Sequence, residues 1–291
     1  MSLVIFGYGY TGRVFAEHVR SRFSRVVGTV RRPGPGRAGP GVELIRFDGD
    51  GHDEGLPEIV AAAQAVLVSI PPDETGDPTL EMFGDTLAAA PHLRWIGYLS
   101  TVGVYGDHGG GRVDETSELK PASDRSLRRV QAEQSWLDFG QDTGRCVQIF
   151  RLAGIYGPGQ NALVNLAAGT ARRIVKPGQV FNRIHVEDIA RVLAASLDRP
   201  RPEAIYNVSD EEPAPPQDVV AYAASLLGLE PPPETPFEQA RLSPMAASFY
   251  AENKRVSNRL IREELGVDLA YPTYREALRA LQAAGEGVQA A

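Results

Sequence analysis

Hydrophobic residues occur along the chain in short continuous runs that are separated by segments with helical spacing. The first run, residues 3–6, is followed by Val14, Phe15 and Val19, whose spacing predicts an amphipathic helix. Further predicted strands cover residues 26–30, 42–48, 65–70, 95–101 and 146–152. Because these strands alternate with helical patterns and most are apolar throughout, we predict one parallel sheet with helices on both faces.

A glycine motif, G-x-G-x-x-G, joins the first strand to the first helix. Gly7 permits the tight turn, Gly9 lets the backbone approach a ligand, and Gly12 lets the helix pack on the strand. The free amide groups and the dipole of the helix N-terminus suit a diphosphate. The motif predicts a Rossmann-type, doubly wound α/β fold that binds a dinucleotide; the alternative is a glycine-rich turn without a ligand. We expect the cofactor to contact Gly7, Tyr8, Gly9, Tyr10, Thr11 and Gly12.

The end of the second predicted strand bears on the choice of cofactor. In a dinucleotide fold an acidic residue there binds the ribose 2′-hydroxyl of NAD, whereas an arginine pairs with a 2′-phosphate. This chain has Arg31 and Arg32 and no acid, which predicts that NADP(H) is preferred over NAD(H). The alternative is a solvated pair of loop arginines. Asp48, after the third strand, either reaches the adenine or caps a turn.

The fourth predicted strand ends abruptly at two prolines, where the cofactor ribose would pass. We therefore expect the cofactor to contact Ser69, Ile70 and Pro71. The five histidines and the single cysteine have no metal-ligand spacing, so we predict no metal.

Four ordered segments resemble the extended short-chain dehydrogenase/reductase family, which includes the NAD-dependent epimerases and dehydratases of sugar nucleotides. They resemble its motifs S-[ST]-x-x-V-Y-G, R-x-x-x-[VI]-Y-G-P-G, R-x-I-H-V-x-D-[IV]-A and Y-N-[VI]. In this chain they cover residues 99–106, 151–159, 183–190 and 206–208. The resemblance spans about residues 1 to 210, and it implies cofactor contacts at Ala153 and Ile155.

The chain departs from this family at the catalytic positions. The family uses a Ser or Thr on the fifth strand with Tyr-x-x-x-Lys on the next helix. Thr101 matches the hydroxyl, but Arg125 stands at the tyrosine position and Arg129 at the lysine position. Deprotonating an arginine at neutral pH costs about 9 kcal/mol, so Arg125 cannot be the acid/base. Arg129 can still donate hydrogen bonds to the nicotinamide ribose.

Arg125, Arg129 and Glu133 share one face of the predicted helix. They either form a ladder of surface ion pairs or, in the interpretation we favour, Arg125 and Arg129 line the pocket and attract an anionic group of the ligand.

Several residues are candidates for a relocated proton shuttle or for substrate contacts, each with a satisfied core residue as the alternative. Tyr105, Tyr156 and His185 are the shuttle candidates. A literal Tyr-x-x-x-Lys also occurs at residues 250–254, and we interpret it as coincidence unless the C-terminal lobe folds back over the sheet. The expected substrate contacts are Tyr105, Tyr156, Asn161, Arg183, His185 and Lys254.

The resemblance also implies two structural units. The nucleotide-binding unit comprises residues 1–152 plus about 184–209, and a smaller substrate lobe comprises about 153–183 plus 210–291. Within the lobe, the pattern predicts helices over residues 219–229 and 251–265, the second of which ends at Gly266.

Composition limits the function further. The net charge of −7 and a pI near 5.4 argue against nucleic-acid binding, and no apolar run is long enough to cross a membrane. We expect a cytoplasmic protein, with a homodimer as one option. The predicted function is an NADP-binding oxidoreductase or epimerase/dehydratase acting on a sugar-nucleotide-like or other anionic small molecule. The alternative is a non-catalytic NADP-binding redox sensor or partner-binding protein.

Overall fold

The computed structural model describes residues 1–34, 36 and 38–287. The strands are β1 (Ser2–Phe6), β2 (Arg25–Val30), β3 (Val42–Arg46), β4 (Ala65–Val68), β5 (Trp95–Thr101), β6 (Arg112–Val113), β7 (Val147–Leu152), β8 (Gly154–Tyr156), β9 (Arg173–Val175), β10 (Arg183–His185), β11 (Ala204–Val208), β12 (Glu234–Pro236) and β13 (Arg255–Val256). The α-helices are α1 (Tyr10–Val19), α2 (Leu56–Ala61), α3 (Pro78–Ala89), α4 (Asp124–Thr143), α5 (Ala162–Ala167), α6 (Val186–Asp198), α7 (Pro216–Leu226), α8 (Pro244–Tyr250), α9 (Arg259–Glu263) and α10 (Tyr274–Ala283).

Seven strands form one sheet in the order β3, β2, β1, β4, β5, β7 and β11. Every neighbouring pair in this sheet is parallel. The chain builds outward from β1 through β2 to β3, and then returns to the other side of β1 to add β4. This reversal leaves a crevice at the carboxyl ends of β1 and β4, where doubly wound sheets bind their ligands. The predicted α/β fold is confirmed.

Helices cover both faces of the sheet, which explains why its strands are apolar at consecutive positions. Leu3 and Ile5 of β1 face one cluster of buried residues, which includes Phe15 of α1 and Leu193 of α6. The alternate β1 residues face a second cluster that α2, α3 and α4 complete on the opposite side. The strands in the middle of the sheet, β1, β4, β5 and β7, are therefore buried on both faces.

The C-terminal segments form a third cluster of buried residues beyond the sheet. Tyr156, Leu163, Val219, Tyr274 and Leu278 belong to it, and they come from β8, α5, α7 and α10. This cluster supports the predicted smaller lobe, whose bounds remain a prediction. Residues 288–291 of that lobe lie outside the described part of the chain.

The helix predicted over residues 251–265 is wrong. Helix α8 ends at Tyr250, β13 follows, and α9 begins only at Arg259. The intervening strand pairs in parallel with β6, because the Arg255 amide donates to the Gly111 carbonyl (2.9 Å) and the Ser257 amide donates to the Val113 carbonyl (2.8 Å). A pairing with a strand more than 140 residues earlier in the chain therefore overrides the local helical pattern.

Among the described residues, no helix is long and apolar enough to cross a membrane. The same residues contain no group of three or more His, Cys, Asp or Glu side chains that could hold a metal ion.

Candidate active site

The glycine motif forms a tight turn between β1 and α1. Gly7 has φ +91°, and a Cβ there would lie 2.8 Å from Ile70 Cγ2. A Cβ on Gly12 would lie 2.9 Å from the Gly7 carbonyl oxygen, so the absence of side chains lets α1 pack against the turn. The Gly7 amide donates to Thr29 Oγ1 (3.0 Å), which fixes the turn to β2. These contacts give Gly7 and Gly12 structural roles.

Gly9 differs from the other two glycines because an added Cβ would meet nothing within 4 Å. It is the exposed N-cap residue of α1, and no side chain of the described residues caps this helix terminus. The start of α1 therefore lies beside an exposed backbone position that carries no side chain. This cradle fits a diphosphate, which would take hydrogen bonds from the amides and the favourable end of the helix dipole.

The two tyrosines of the motif contact protein groups. The Tyr8 ring packs on Gly28, where a Cβ would come within 2.6 Å of the ring, and its hydroxyl accepts from the Gly39 amide (3.3 Å). Tyr10, the first residue of α1, donates its hydroxyl to the Pro158 carbonyl (3.0 Å). The loop after β8 is thereby fixed directly beside the glycine motif. Thr11 is buried in α1.

The remaining predicted adenosine contacts lie at the carboxyl ends of their strands. Arg31 and Arg32 follow β2, and both are exposed. Asp48 follows β3, where its carboxylate accepts from Arg46 (2.7 Å) and from the Gly51 amide (2.9 Å). The hydrogen bond from Arg46 lowers the pKa of Asp48. Ser69 is anchored through its amide to the Phe6 carbonyl (2.8 Å).

A cavity of about 750 Å³ lies at the carboxyl ends of the central strands and continues into the C-terminal lobe. It collects predicted residues that are far apart in sequence. Those lining it are Pro71, Thr101, Arg125, Arg129, Ala153, Ile155, Tyr156, Arg183 and Lys254. Residues more than 180 positions apart in the sequence therefore line a single pocket, which we name the central cavity.

Thr101 ends β5 at the wall of the central cavity, and its Oγ1 accepts from the Gly103 amide (3.1 Å). Its hydroxyl hydrogen is consequently available to a ligand oxygen. Arg129 donates through Nη1 to the Tyr98 hydroxyl (2.9 Å) and to the Leu99 carbonyl (2.8 Å). Arg125 is exposed at the cavity, with its guanidinium carbon 5.3 Å from the centre of the Phe249 ring.

The alternative of a surface ion-pair ladder on α4 is wrong. Glu133 turns into the core, where its carboxylate binds the Arg151 guanidinium (2.7 Å) with both side chains 3% exposed. Arg151 also donates to the Tyr105 hydroxyl (3.0 Å), which in turn donates to Asn207 Oδ1 (2.7 Å). Burial raises the pKa of Tyr105 to about 12. Tyr105 is therefore held in this buried network, outside the lining of the central cavity.

Asn161 also lies outside the central cavity. Its side chain caps α5 by accepting from the amides of Leu163 (2.9 Å) and Val164 (3.1 Å), and it donates to Glu286 (3.0 Å). It lines a second cavity of about 450 Å³ inside the C-terminal lobe. Tyr156 and Arg183 line both cavities, so they form part of the wall between them.

The groups around this wall are strongly perturbed by burial. Within the described chain, the Tyr156 hydroxyl and His185 Nε2 have no hydrogen-bond partner. Desolvation raises the pKa of Tyr156 and lowers the pKa of His185 to about 4, so that both are neutral at pH 7. The His185 ring stacks edge-on against Tyr156 and lies outside the lining of the central cavity.

The buried histidine predicts a dependence of stability on pH. The unfolded chain binds a proton at position 185 near pH 6.5, whereas the folded chain does so only near pH 4. We expect acidification from pH 7 to 4 to reduce the free energy of unfolding of the wild type by about 3 kcal/mol more than that of His185→Asn. Asparagine keeps the N-cap role of the residue. Urea unfolding at several pH values measures the difference, and the exposed His92→Asn should follow the wild type. Parallel curves for His185→Asn and the wild type would contradict this assignment.

The segment after α8 does fold back over the sheet. Tyr250 and Lys254 both line the central cavity, together with Thr101. Lys254 is buried and paired, with Nζ donating to Glu252 (2.6 Å) and to the Gly106 carbonyl (2.8 Å). The Tyr250 ring packs between Phe181 and Phe237. Both residues of the literal Tyr-x-x-x-Lys therefore line the central cavity, but the ammonium group of its lysine is already bonded to protein oxygens.

Sequence reasoning missed the apolar residues that α8 and the preceding segments bring to the cavity. Phe181, Leu242 and Phe249 line it. Phe249 is exposed on a short helix, where its local sequence does not show that it faces a cavity, so only the tertiary structure identifies its role.

The fold is a doubly wound α/β sheet of the dinucleotide-binding type, with a further cluster of buried residues beyond the sheet. The model of the NAD dependent epimerase/dehydratase family matches residues 3–209, and the chain belongs to that family. The resemblance noted in the sequence is therefore confirmed.

Individual relatives cover nearly the whole chain. A solved structure of a functionally unknown conserved protein from Silicibacter pomeroyi DSS is 50% identical, with a TM-score of 0.88, and the match covers 98% of this chain and 99% of that one. Protein YeeZ of Escherichia coli K12 is 30% identical over 290 residues, covering 93% of this chain and 96% of the relative. The dTDP-glucose 4,6-dehydratase of Bacillus anthracis in complex with NAD is 17% identical, with a TM-score of 0.79 and coverage of 98% and 97%. At that identity the last match shows the fold alone.

Proposed function

We propose that this chain binds NADP(H) and is an oxidoreductase, or an epimerase or dehydratase with a redox step, that acts on a small anionic molecule. The observation that carries this proposal is the placement of two features at the carboxyl ends of neighbouring strands, where the order of the sheet reverses. The open backbone at Gly9 lies at the end of β1, and the central cavity with Thr101 lies at the ends of β4 and β5. A dinucleotide across this crevice would extend from the first to the second. A cytoplasmic location and a homodimer are further parts of the proposal.

The preference for NADP(H) rests on the residues that follow β2. Arg31 and Arg32 are exposed cations, and neither position carries the acid that would bind a free 2′-hydroxyl. Asp48 is engaged by Arg46 and Gly51, which agrees with a role in the turn.

We expect NADPH to bind at least about tenfold more tightly than NADH, because a charge-assisted hydrogen bond to phosphate contributes about 1.5–3 kcal/mol. Arg31→Ala should reduce the affinity for NADPH and leave that for NADH unchanged. Titration calorimetry with both nucleotides measures this, and Arg25→Ala is the control because Arg25 pairs with Glu43 at the opposite end of β2. Equal affinities of the wild type for the two cofactors would refute the preference.

The chemistry proposed for the cavity needs a hydroxyl that polarises the substrate oxygen and a source of one proton. When bound, the reduced nicotinamide supplies a hydride to the substrate carbon. Thr101 has its hydroxyl hydrogen available for the oxygen that becomes negative. Tyr156 and Tyr250 are the phenols on the cavity wall, and burial raises the pKa of both, so each holds a proton at neutral pH. Arg125 contributes charge only.

A second candidate function is a non-catalytic NADP-binding sensor or partner-binding protein. The observation favouring it concerns the two arginines at the positions aligned with the family's tyrosine and lysine. Arg125, at the tyrosine position, contacts Phe249, and Arg129, at the lysine position, donates to Tyr98 and Leu99. A substrate panel with NADPH separates the two functions. Tight NADPH binding without turnover of any polyol, ketone or nucleotide sugar would favour the sensor.

A further inference from the structure

Most polar side chains of the central cavity already have partners within the protein. Asn182 donates to the Lys254 carbonyl (3.0 Å) and accepts from the Val256 amide (2.9 Å). The Glu252 carboxylate is paired with the Lys254 ammonium (2.6 Å), which also donates to the Gly106 carbonyl. Asn182 Oδ1 and Glu252 Oε2 are therefore each engaged by a protein donor before any ligand enters.

The cations and serines of the wall are partly engaged in the same way. Arg183 donates to the carbonyls of Phe181 (2.9 Å) and Ala214 (3.1 Å). Ser123 and Ser126 share a hydrogen bond of 3.0 Å at the start of α4. These bonds fix the shape of the wall and reduce the number of hydrogen bonds that it can offer a ligand.

Several side chains of the wall still have hydrogens to donate. Thr101 has its hydroxyl hydrogen, the Tyr250 hydroxyl shares no hydrogen bond with the described residues, and no carboxylate among those residues lies within 4 Å of the Arg125 guanidinium. Sugar hydroxyls need acceptors as well as donors, whereas carbonyl and carboxylate oxygens need only donors. A sugar hydroxyl that finds no partner when it is buried in this cavity is costly, which disfavours a polyol here.

Much of the rest of the wall is apolar. The apolar residues that the C-terminal lobe contributes include Ile174, Val180, Phe181, Leu242, Ala246 and Phe249. Such a surface gains free energy from removing apolar ligand area from water, and it offers no hydrogen bonds to the hydroxyls of a hydrated sugar ring.

We propose that the substrate is an apolar molecule carrying a carbonyl and a carboxylate, such as a 2-oxo acid with an alkyl or aryl tail, and is not a sugar nucleotide. The tail lies against the apolar wall, the carbonyl oxygen accepts from Thr101 and Tyr250, and the carboxylate pairs with Arg125. This inference rests on the proposed function, because the carbonyl is the group that a hydride would reduce.

Calorimetry on the full chain saturated with NADP⁺ tests the inference without turnover. The probes are pyruvate, 2-oxohexanoate, 4-phenyl-2-oxobutanoate and UDP-glucose. We expect the Kd of the oxo acids to fall about fourfold for each added buried methylene, and UDP-glucose to bind no more tightly than pyruvate. Phe249→Ser should weaken 4-phenyl-2-oxobutanoate about tenfold. Met245→Ser is the matched control on α8, since Met245 is 62% exposed and outside the cavity lining.

Three results would overturn the inference while the proposed function stands. They are tighter binding of UDP-glucose than of every oxo acid, a Kd that is independent of tail length, and no heat from any oxo acid although NADP⁺ binds. Absence of NADP⁺ binding would instead remove the proposed function and this inference together. Equal losses for Phe249→Ser and Met245→Ser would also count against the proposed tail site.

Discussion

Gly9→Val should abolish NADPH binding while changing the stability of the protein very little. The backbone of Gly9 has φ −93°, which valine adopts without strain, and the added side chain meets no atom of the protein. That side chain would instead occupy the space beside the first amide groups of α1. A diphosphate that must approach the backbone there loses its contacts with those amides, so we expect the affinity for NADPH to fall at least about 100-fold.

The control for this experiment is Gly55→Val. Gly55 is the N-cap of α2, has φ −79°, and also has nothing within 4 Å of an added Cβ. Both variants therefore replace an N-cap glycine with valine, and each should lose about 1 kcal/mol or less of the free energy of unfolding. Calorimetry with NADPH and thermal unfolding of both variants provide the measurements. Retained NADPH affinity in Gly9→Val, with the fold intact, would locate the cofactor elsewhere in the protein.

Glu133→Gln should lower the free energy of unfolding by about 3–5 kcal/mol, the largest stability effect we expect from an isosteric change. The Glu133 carboxylate accepts three hydrogen bonds from Arg151 and one from Ser100, all within the core. Removing its charge leaves the Arg151 guanidinium buried and uncompensated. Urea unfolding at pH 7 measures the loss.

An exposed ion pair of the same length separates the effect of burying the charges from the effect of removing one of them. Glu263 binds Arg259 at 2.7 Å, the same distance as the buried pair, but these side chains are 55% and 61% exposed. Glu263→Gln should therefore cost less than about 0.5 kcal/mol. The double change Glu133→Leu with Arg151→Met should recover much of the single-variant loss, since neither charge then remains buried. A cost for Glu133→Gln similar to that for Glu263→Gln would show that this pair contributes little.

The elements around the glycine motif could be predicted from sequence because their signals are local. The apolar run of β1, the glycines and the spacing in α1 each act within about ten residues, and β5 has the predicted bounds. Strands β3 and β4 each end two residues earlier than predicted, before Phe47 and Ser69. The site was predicted in part for the same reason: Thr101, Arg125 and Arg129 lie in recognisable segments, and they do line the central cavity.

Other features depend on contacts between distant parts of the chain. Glu133 has the same spacing from Arg129 as a surface ion-pair partner, yet it binds Arg151 on a neighbouring strand. Lys254 was expected on a helix in the lobe, but β13 pairs with β6 and brings the lysine to Gly106. Local patterns carry no information about such partners, because the energy of each pairing depends on what the rest of the fold places opposite.

The sequence by itself determined the strands β1 to β5 and β7 of the main sheet, the dinucleotide-type turn at Gly7 to Gly12, and the placement of Arg125 and Arg129 on the helix after β5. The tertiary structure decided which side chains share the central cavity and which of their polar atoms are already bonded. The physical reason is that hydrophobic periodicity and glycine conformation act over a few residues, whereas burial and hydrogen-bond satisfaction depend on every segment that packs around a site.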